Sequence, residues 1–372
     1  MKMPSSWGAG RRVLMWKAAR LAHRIDSLEA LPGRSNCLIV SVDDPLPQTQ
    51  VWPYYHYADA LRRAYGLRFS EIDATRVDEA APPRPRSHVR WVLFQNWFDV
   101  EPEAVRRRAE FLQAAYPNAA LVYLDWFAPV HLRYAAVLDP LVRWYVKKQA
   151  FRDFDRYDES VRGDTNLTDY FSRRYGIELP EYRDTVPPGF ERKLVLGSNF
   201  GLSPQMIDGF LQRQWPESRP IDVHARIATK GVHWYQRMRE EAAAAVRGLP
   251  DLRVASQGRV SLARFFEELR QSKVCFSPIG YGEVCWRDFE AVMCGALLIK
   301  PDVGHLRITP DIFRAGETYA PVRWDLADFD EVVRGQLADV RGRERIAQQA
   351  FDVVSSYIRA GAFVTELAPV FS

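Results

Sequence analysis

From residue 36 onward, short runs of consecutive apolar residues alternate with longer stretches whose apolar residues recur at helical spacing. Runs of the first kind suit strands buried on both faces, and stretches of the second kind suit helices laid over them. The pattern predicts strands at 37–42, 68–72, 89–94, 120–124 and 142–147, with helices at 54–65, 102–115 and 129–138 between them. A charged, Pro- and Tyr-rich stretch at 152–189 interrupts the alternation. It holds a turn at 164–168 leading into a helix at 169–175, and it ends in Thr185-Val186-Pro187-Pro188-Gly189. Alternation then resumes, with strands at 194–197, 221–226, 252–256, 274–277 and 296–300 and helices at 203–212, 233–246, 261–269 and 286–293. Two more helices are predicted at 328–340 and 342–360. Strands joined by helices in this order build parallel sheets covered on both faces, so the expected fold class is α/β with two Rossmann-like doubly wound domains facing a cleft.

The chain has 372 residues, more than one core usually holds, and the breaks in the pattern divide it accordingly. A basic segment at 1–34 precedes a first domain at 35–185, a second at 186–340 and a last helical segment at 341–372 that packs back across both. Leu14, Ala18, Leu21 and Ile25 fall at helical spacing among Arg11, Arg12, Lys17, Arg20 and Arg24. Residues 11–25 therefore either lie on an anionic membrane surface as peripheral contact or pack against the body of the protein. No sequence repeat of fixed short period is present, which excludes solenoids and propellers.

An apolar fraction of 47% with 11 Trp, 16 Tyr and 20 Phe is ample for burial and excludes a disordered chain. The net charge of +4 admits anionic small ligands but is too slight, without a concentrated basic face, for a nucleic-acid partner. Cys37, Cys275, Cys285 and Cys294 sit in or beside apolar runs with no C-x-x-C spacing. They read as buried thiols of a cytoplasmic protein, in which no apolar run is long enough to span a membrane.

The richest stretch for chemistry runs from Ser277 to Pro301. A buried strand, a loop with Gly280 and Gly282, a helix carrying Arg287 and Glu290, and a second buried strand follow without a break. Glycines let backbone amides approach a ligand, and the helix aims its positive end at the same loop. Arg287 and Glu290 are three apart and share a helical face, where they either meet phosphate and ribose or pair with each other on the surface. Ser277-Pro278, Gly280, Gly282, Glu283, Glu290-Ala291 and Cys294-Gly295 together resemble the donor-binding segment of group-1-like glycosyltransferases of the GT-B fold. The resemblance covers about residues 222–324 and implies a nucleotide-sugar site in which Glu290 holds the ribose, basic residues hold the diphosphate, and Ser277, Tyr281 and Glu283 line the loop. Glu283 and Glu290 enclose six residues, one fewer than retaining members place between theirs, so the stereochemical outcome stays open.

The resemblance extends to Arg226-Ile227-Ala228-Thr229-Lys230-Gly231, a basic turn matching the one that reaches donor phosphates in such enzymes, although a bare basic turn would look the same. Gly197-Ser198-Asn199-Phe200-Gly201 is a second, weaker anion loop, and His224 has the usual reading of a lone histidine, a core residue. Asp153-Phe154-Asp155 and Asp328-Phe329-Asp330 have metal-binding spacing but follow no apolar strand, so no metal site is expected. For the general base, carboxylates at strand ends in the first half are candidates, namely Asp43, Asp44 and above all Asp125, with His131 nearby. Asp125 serves equally well as the cap of the helix predicted from Pro129. The expected protein is a metal-independent glycosyltransferase, acting without a cofactor, that moves a sugar from a nucleotide-diphosphate donor to the hydroxyl of a glycan or lipid-linked acceptor. A GT-B-shaped sugar-nucleotide epimerase and a non-catalytic sugar-nucleotide-binding subunit share the same features.

Overall fold

A computed structural model of the chain describes residues 35–77, 79, 86–256 and 258–372. The basic segment at 11–25 lies outside them. The strands, in chain order, are β1 (Cys37–Ser41), β2 (Phe69–Asp73), β3 (Trp91–Phe94), β4 (Ala120–Asp125), β5 (Trp144–Lys147), β6 (Gln149–Phe151), β7 (Val161–Arg162), β8 (Glu181–Tyr182), β9 (Leu194–Leu196), β10 (Ile221–His224), β11 (Val254–Ala255), β12 (Ser272–Phe276), β13 (Leu297–Pro301), β14 (Leu306–Ile308) and β15 (Ala320–Val322).

Two wholly parallel sheets form, in the orders β2-β1-β3-β4-β5-β9 and β11-β10-β12-β13-β15. Their inner strands are the apolar runs of the sequence: Cys37–Ser41, Trp91–Phe94 and Leu297–Pro301 are buried at every position. A strand covered by helices on both faces must be apolar throughout, which explains the lack of alternation. Each sheet reverses its direction of winding once, between β1 and β3 in the first and between β10 and β12 in the second. The loops leaving those strands open a crevice where a ligand meets many backbone amides.

Several expectations are corrected. The strand at 194–197, assigned to the second sheet, is β9 and closes the first, pairing Tyr145 with Leu194 and Lys147 with Leu196. An edge strand of three residues carries no local mark of which sheet it joins. The chain therefore passes between sheets after β9, through Phe200–Leu202 and the helix Pro204–Leu211. The stretch at 152–189 is an excursion rather than a simple connection. It contains the β7–β8 hairpin and the helix Asn166–Tyr175, whose Tyr175 hydroxyl and Arg174 bind Glu241 of the second half at 2.6 and 3.3 Å. The helix predicted at 129–138 shrinks to Ala135–Leu138, and the helix predicted at 54–65 is two, Pro45–His56 and Ala58–Tyr65. Proline at the first helical position and Asp44 as cap start the earlier of these.

The halves are joined twice more. Antiparallel β6–β14 links the end of the first sheet to the second, and after the helices Phe329–Ala338 and Val340–Ala360 the chain returns to the first sheet, where Phe363 stacks on Tyr57 and Phe371 meets Trp91 edge-on. Among the described residues no helix is long and apolar enough to cross a membrane.

Candidate functional site

The crevice of the second sheet is built from the turn after β10 and the glycine loop after β12. Ser277 begins that loop, yet its hydroxyl is spent inside, donating to Asp288 at 2.6 Å. Asp288 in turn accepts the amide of Cys285 at 2.8 Å and pairs with the buried Lys300 at 3.2 Å, which pins the first turn of the helix Trp286–Cys294. Gly280 donates to the Gly282 carbonyl at 3.1 Å, folding the loop into a hook. Gly282 is required by close approach rather than by conformation, because a Cβ there would lie 2.1 Å from the carbonyl oxygen of Ala128 in the first half. Tyr281 lies flat on Tyr235, with ring centroids 4.1 Å apart and planes within 4°. Arg239, buried beneath, donates to Ala228 at 3.0 Å and to Ile279 at 3.2 Å, so one guanidinium holds both loops.

The cations divide into two kinds. Arg226 is gripped by Glu268 at two points, 2.7 and 3.0 Å, and donates to the Gly258 carbonyl at 2.9 Å. Its charge is matched within the protein, which corrects its assignment to donor phosphates. Lys230 is exposed with no ion-pair partner among the described residues. Arg287 donates to the Arg226 carbonyl, and its Nε–H is buried with no acceptor. Glu290, on the same helix, is buried rather than on the surface, so an exposed Arg287–Glu290 pair is not what the helix displays. His224 is a core residue, as a lone histidine usually is. Burial first, then the charges of Arg287 and Arg226, push its imidazole down to about 3.

Glu283 ends the hook and is wholly buried. Its Oε1 accepts from Asn166 Nδ2 at 2.9 Å and lies 3.7 Å from His305 Nε2, whereas Oε2 has no partner. Burial alone would raise its pKa, but the neighbouring His305 and the Asn166 amide outweigh burial and hold the carboxyl below its usual range. Asn166 opens the helix Asn166–Tyr175, and its backbone N–H donates to His131 Nε2 at 3.0 Å. Because Nε2 accepts, the proton of His131 resides on Nδ1, which meets Asp184 at 2.8 Å. His131 is therefore no base for an acceptor; it fixes the helix that carries Asn166 against Glu283. Asn166 and His305 also line a cavity of about 690 Å³ with Arg156, Tyr170, Arg173 and Trp324.

Of the first-half carboxylates, Asp125 and Asp44 are engaged within the protein. Asp125 is 2% exposed, and both its oxygens are engaged: Oδ1 by the amide of Phe127 at 2.8 Å, Oδ2 by the Tyr145 hydroxyl at 2.6 Å and by Lys147 Nζ at 3.1 Å. A carboxylate buried to this degree and held by an amide, a hydroxyl and an ammonium is placed as a packing and charge partner of Lys147 rather than at an open strand end. Asp44 caps the helix Pro45–His56 through the Leu46 amide at 2.9 Å, and Asp43 is exposed beside it. Asp153 caps a short turn through the Asp155 amide at 3.1 Å, Asp328 accepts the Arg323 amide at 2.9 Å, and Asp330 binds Arg334 at 2.9 Å. Among the described residues no cluster of three or more metal-ligating side chains occurs. Residues that the sequence reading passed over are Asn166, His305, Trp324, Lys147 and Lys148. Burial first and then the adjacent Lys147 push the Lys148 ammonium, which lies 4.5 Å from the Phe200 ring, down to about 7. His305 stands four residues beyond β13 and immediately before β14, in the loop at the carboxyl end of that strand.

No protein-family model and no curated protein matches the chain. Among solved structures it is similar to TarM, at 8% identity and a TM-score of 0.44 over 76% of this chain and 54% of that one. A glycosyltransferase from Rickettsia africae overlaps at 10% identity and a TM-score of 0.46, over 91% of this chain and 99% of that one. Sucrose-phosphate synthase from Thermosynechococcus elongatus overlaps at 12% identity and a TM-score of 0.41, over 87% and 78%. The chain thus spans about half the length of TarM.

Proposed function

We propose that the protein is a glycosyltransferase that takes a sugar from a nucleotide-diphosphate donor bound at the crevice of the second sheet and passes it to a hydroxyl of a glycan or lipid-linked acceptor. The observation that carries this reading is the buried Arg287 Nε–H without an acceptor, placed in the first turn of the helix Trp286–Cys294 and tied through the Arg226 carbonyl to the turn that carries the exposed Lys230. A buried donor left unsatisfied costs about 1–3 kcal/mol, and an anionic ligand removes that cost. Diphosphate meets there two cations and the positive end of a helix, which stabilise the charge that develops on it as it leaves. Glu290 takes the ribose, Tyr281 with Gly280 and Gly282 forms the wall, and Ser277 acts indirectly through Asp288. The proposed chemistry uses basic side chains and helix amides for the leaving group and needs no metal.

Titration calorimetry with UDP, GDP and ADP tests the reading. One of them binds the wild type, and Arg287→Ala weakens that binding roughly 10- to 100-fold, as loss of a charge-assisted hydrogen bond requires. Equal affinity in the variant, with the fold intact by circular dichroism, removes Arg287 from the site. Release of the nucleotide from its sugar only when acceptor is added separates a transferase from a binding subunit.

A further inference from the structure

The cavity of about 690 Å³ lies between the excursion at 152–189 and the loops that follow β13 and β15, and none of the residues proposed to hold the donor lines it. Its wall carries three arginines, Arg156, Arg173 and Arg174, against two carboxylates, Glu159 and Asp169. Three cations less two anions leave one positive charge in excess when His305, also in the wall, is neutral.

The three arginines are not alike. Arg173 Nε binds both oxygens of Asp169 at 2.9 and 3.0 Å, and Arg174 binds both oxygens of Glu241 at 3.3 Å. Arg156 makes no side-chain hydrogen bond among the described residues, and its ion pair with the exposed Glu159 is 3.8 Å long. A pair so long and so exposed holds neither partner firmly. What fixes Arg156 is a ring: its guanidinium carbon lies 4.4 Å from the centroid of the buried Phe151. The group is thereby oriented while its donors stay unspent, and such a planar fork matches the two oxygens of a carboxylate.

Ring contacts carry the wall from Arg156 to its aromatic side. The His305 ring lies 6.0 Å from Phe151 and 5.9 Å from Trp324, and Tyr170 meets Trp324 edge-on at 4.9 Å. The indole is fixed by its Nε1–H donating to the Asp302 carbonyl at 2.7 Å and by Phe171 stacked on it at 6.0 Å. Rigid, half-buried rings suit the C–H face of a pyranose, and the volume has room for more than one sugar ring. An oriented cation beside aromatic faces calls for a ligand that is both sugar and anion. One carboxylate balances the single excess charge of the wall, whereas a phosphate monoester, with about 1.5–2 negative charges, exceeds it.

We propose that this cavity receives a hexuronate residue of the acceptor glycan, with its carboxylate on the Arg156 fork and its ring against Trp324 and Tyr170. The role as acceptor rests on the proposed transferase function, but the binding of an acidic sugar stands on the cavity alone.

Saturation-transfer NMR on the full chain tests it, with methyl glucuronide and methyl galacturonide as probes, methyl glucoside and galactoside as neutral controls, glucose 6-phosphate as a phosphate control and UDP in a parallel arm. At least one uronide gives transfer signals in the wild type that saturating UDP and Arg287→Ala leave undiminished, and the matching neutral glycoside gives signals weaker by roughly tenfold or more. Arg156→Gln removes the fork and lowers the uronide signal roughly tenfold or more, while UDP affinity and melting temperature stay at the wild-type values. Arg156→Lys, which keeps the charge without the fork, gives an intermediate signal and decides the matter should Arg156→Gln fail to fold. A signal of wild-type strength in folded Arg156→Gln, or in Arg156→Lys if it stands in, overturns the subsite. Equal signals from uronide and neutral glycoside, or a stronger one from glucose 6-phosphate, overturn the uronate assignment. No uronide signal in a wild type that binds UDP overturns the subsite and leaves the proposed function standing. Displacement of the uronide by UDP gives the cavity to the donor and overturns the acceptor assignment. Uronide signals in a protein that binds none of UDP, GDP and ADP remove the proposed function and the acceptor role with it, while the acid-sugar site stands.

Discussion

Replacing Asp125 by Asn separates a structural carboxylate from a catalytic one. In the native protein Lys147 Nζ, with no exposure, lies 3.1 Å from Asp125 Oδ2, and burial drives its ammonium below the usual range while the Asp125 charge opposes that fall. Asn keeps the shape and the contact to the Phe127 amide but removes the counter-charge. Breaking a buried pair on one side costs about 3–5 kcal/mol. Lys147 can escape part of that cost by losing its proton, which gives the variant a pH signature. Once the pH passes the lowered pKa of the folded Lys147, and up to about pH 10.4, the unfolded lysine stays protonated while the folded one is neutral. The unfolded state then binds more protons, and stability rises with pH by about 1.4 kcal/mol per unit. Urea unfolding of Asp125→Asn is therefore expected to show a loss of about 3–5 kcal/mol at pH 7 that shrinks as the pH approaches 10. Adding Lys147→Met, which removes the stranded charge, is expected to recover at least half of the loss at pH 7. Nucleotide affinity stays at the wild-type value throughout. An Asp125→Asn protein as stable as the wild type yet unable to transfer sugar would refute the reasoning and return Asp125 to the active site.

Three other perturbations have definite expected outcomes. His224, whose pKa is depressed to about 3, contributes stability that is present above pH 6.5 and lost as pH falls toward 3, since the unfolded imidazole protonates first; His224→Leu should flatten that part of the melting temperature profile. Gly282→Ala pushes a methyl against the Ala128 carbonyl, where neither backbone yields, and should cost about 1–3 kcal/mol in urea unfolding, with the same m-value. Arg226→Ala leaves Glu268 paired with Arg264 and should lower stability by about 1–3 kcal/mol while nucleotide affinity, measured by calorimetry, stays at the wild-type value.

The sequence made the parallel sheets readable because inner strands of such sheets are continuous apolar runs, and 37–41, 91–94, 272–276 and 297–301 announce themselves in that way. It also singled out the hook that carries Glu283, since two glycines between a buried strand and a helix are a local signal. What it could not show is which side chains that hook meets. Asn166 lies 117 residues from Glu283, and its role depends on a helix held by His131, a residue whose own meaning changes from base to brace once its ring contacts are known. Asp125 and Arg226 mislead for a related reason. A charged residue at a strand end looks the same in sequence whether it faces a ligand or a partner such as Lys147 or Glu268, and only distance tells the two apart. Membership of β9 was equally invisible, because a short edge strand is chosen by the neighbour that needs it.

The return of the chain to the first sheet bears on how the protein is made. Tyr57 and Tyr65 donate their hydroxyls to the Ile358 and Val364 carbonyls at 3.3 and 2.8 Å, across 301 and 299 residues of sequence, and Phe363 and Phe371 close over Tyr54 and Trp91. On the ribosome, Tyr54, Tyr57, Tyr65 and Trp91 emerge about 300 residues before the segment that covers their aromatic face. At translation speeds of about 5–20 residues per second, that face stays open for tens of seconds, long enough for chaperones or other nascent chains to find it. Nascent chains halted before residue 360 should bind a hydrophobic holdase that the full-length protein does not.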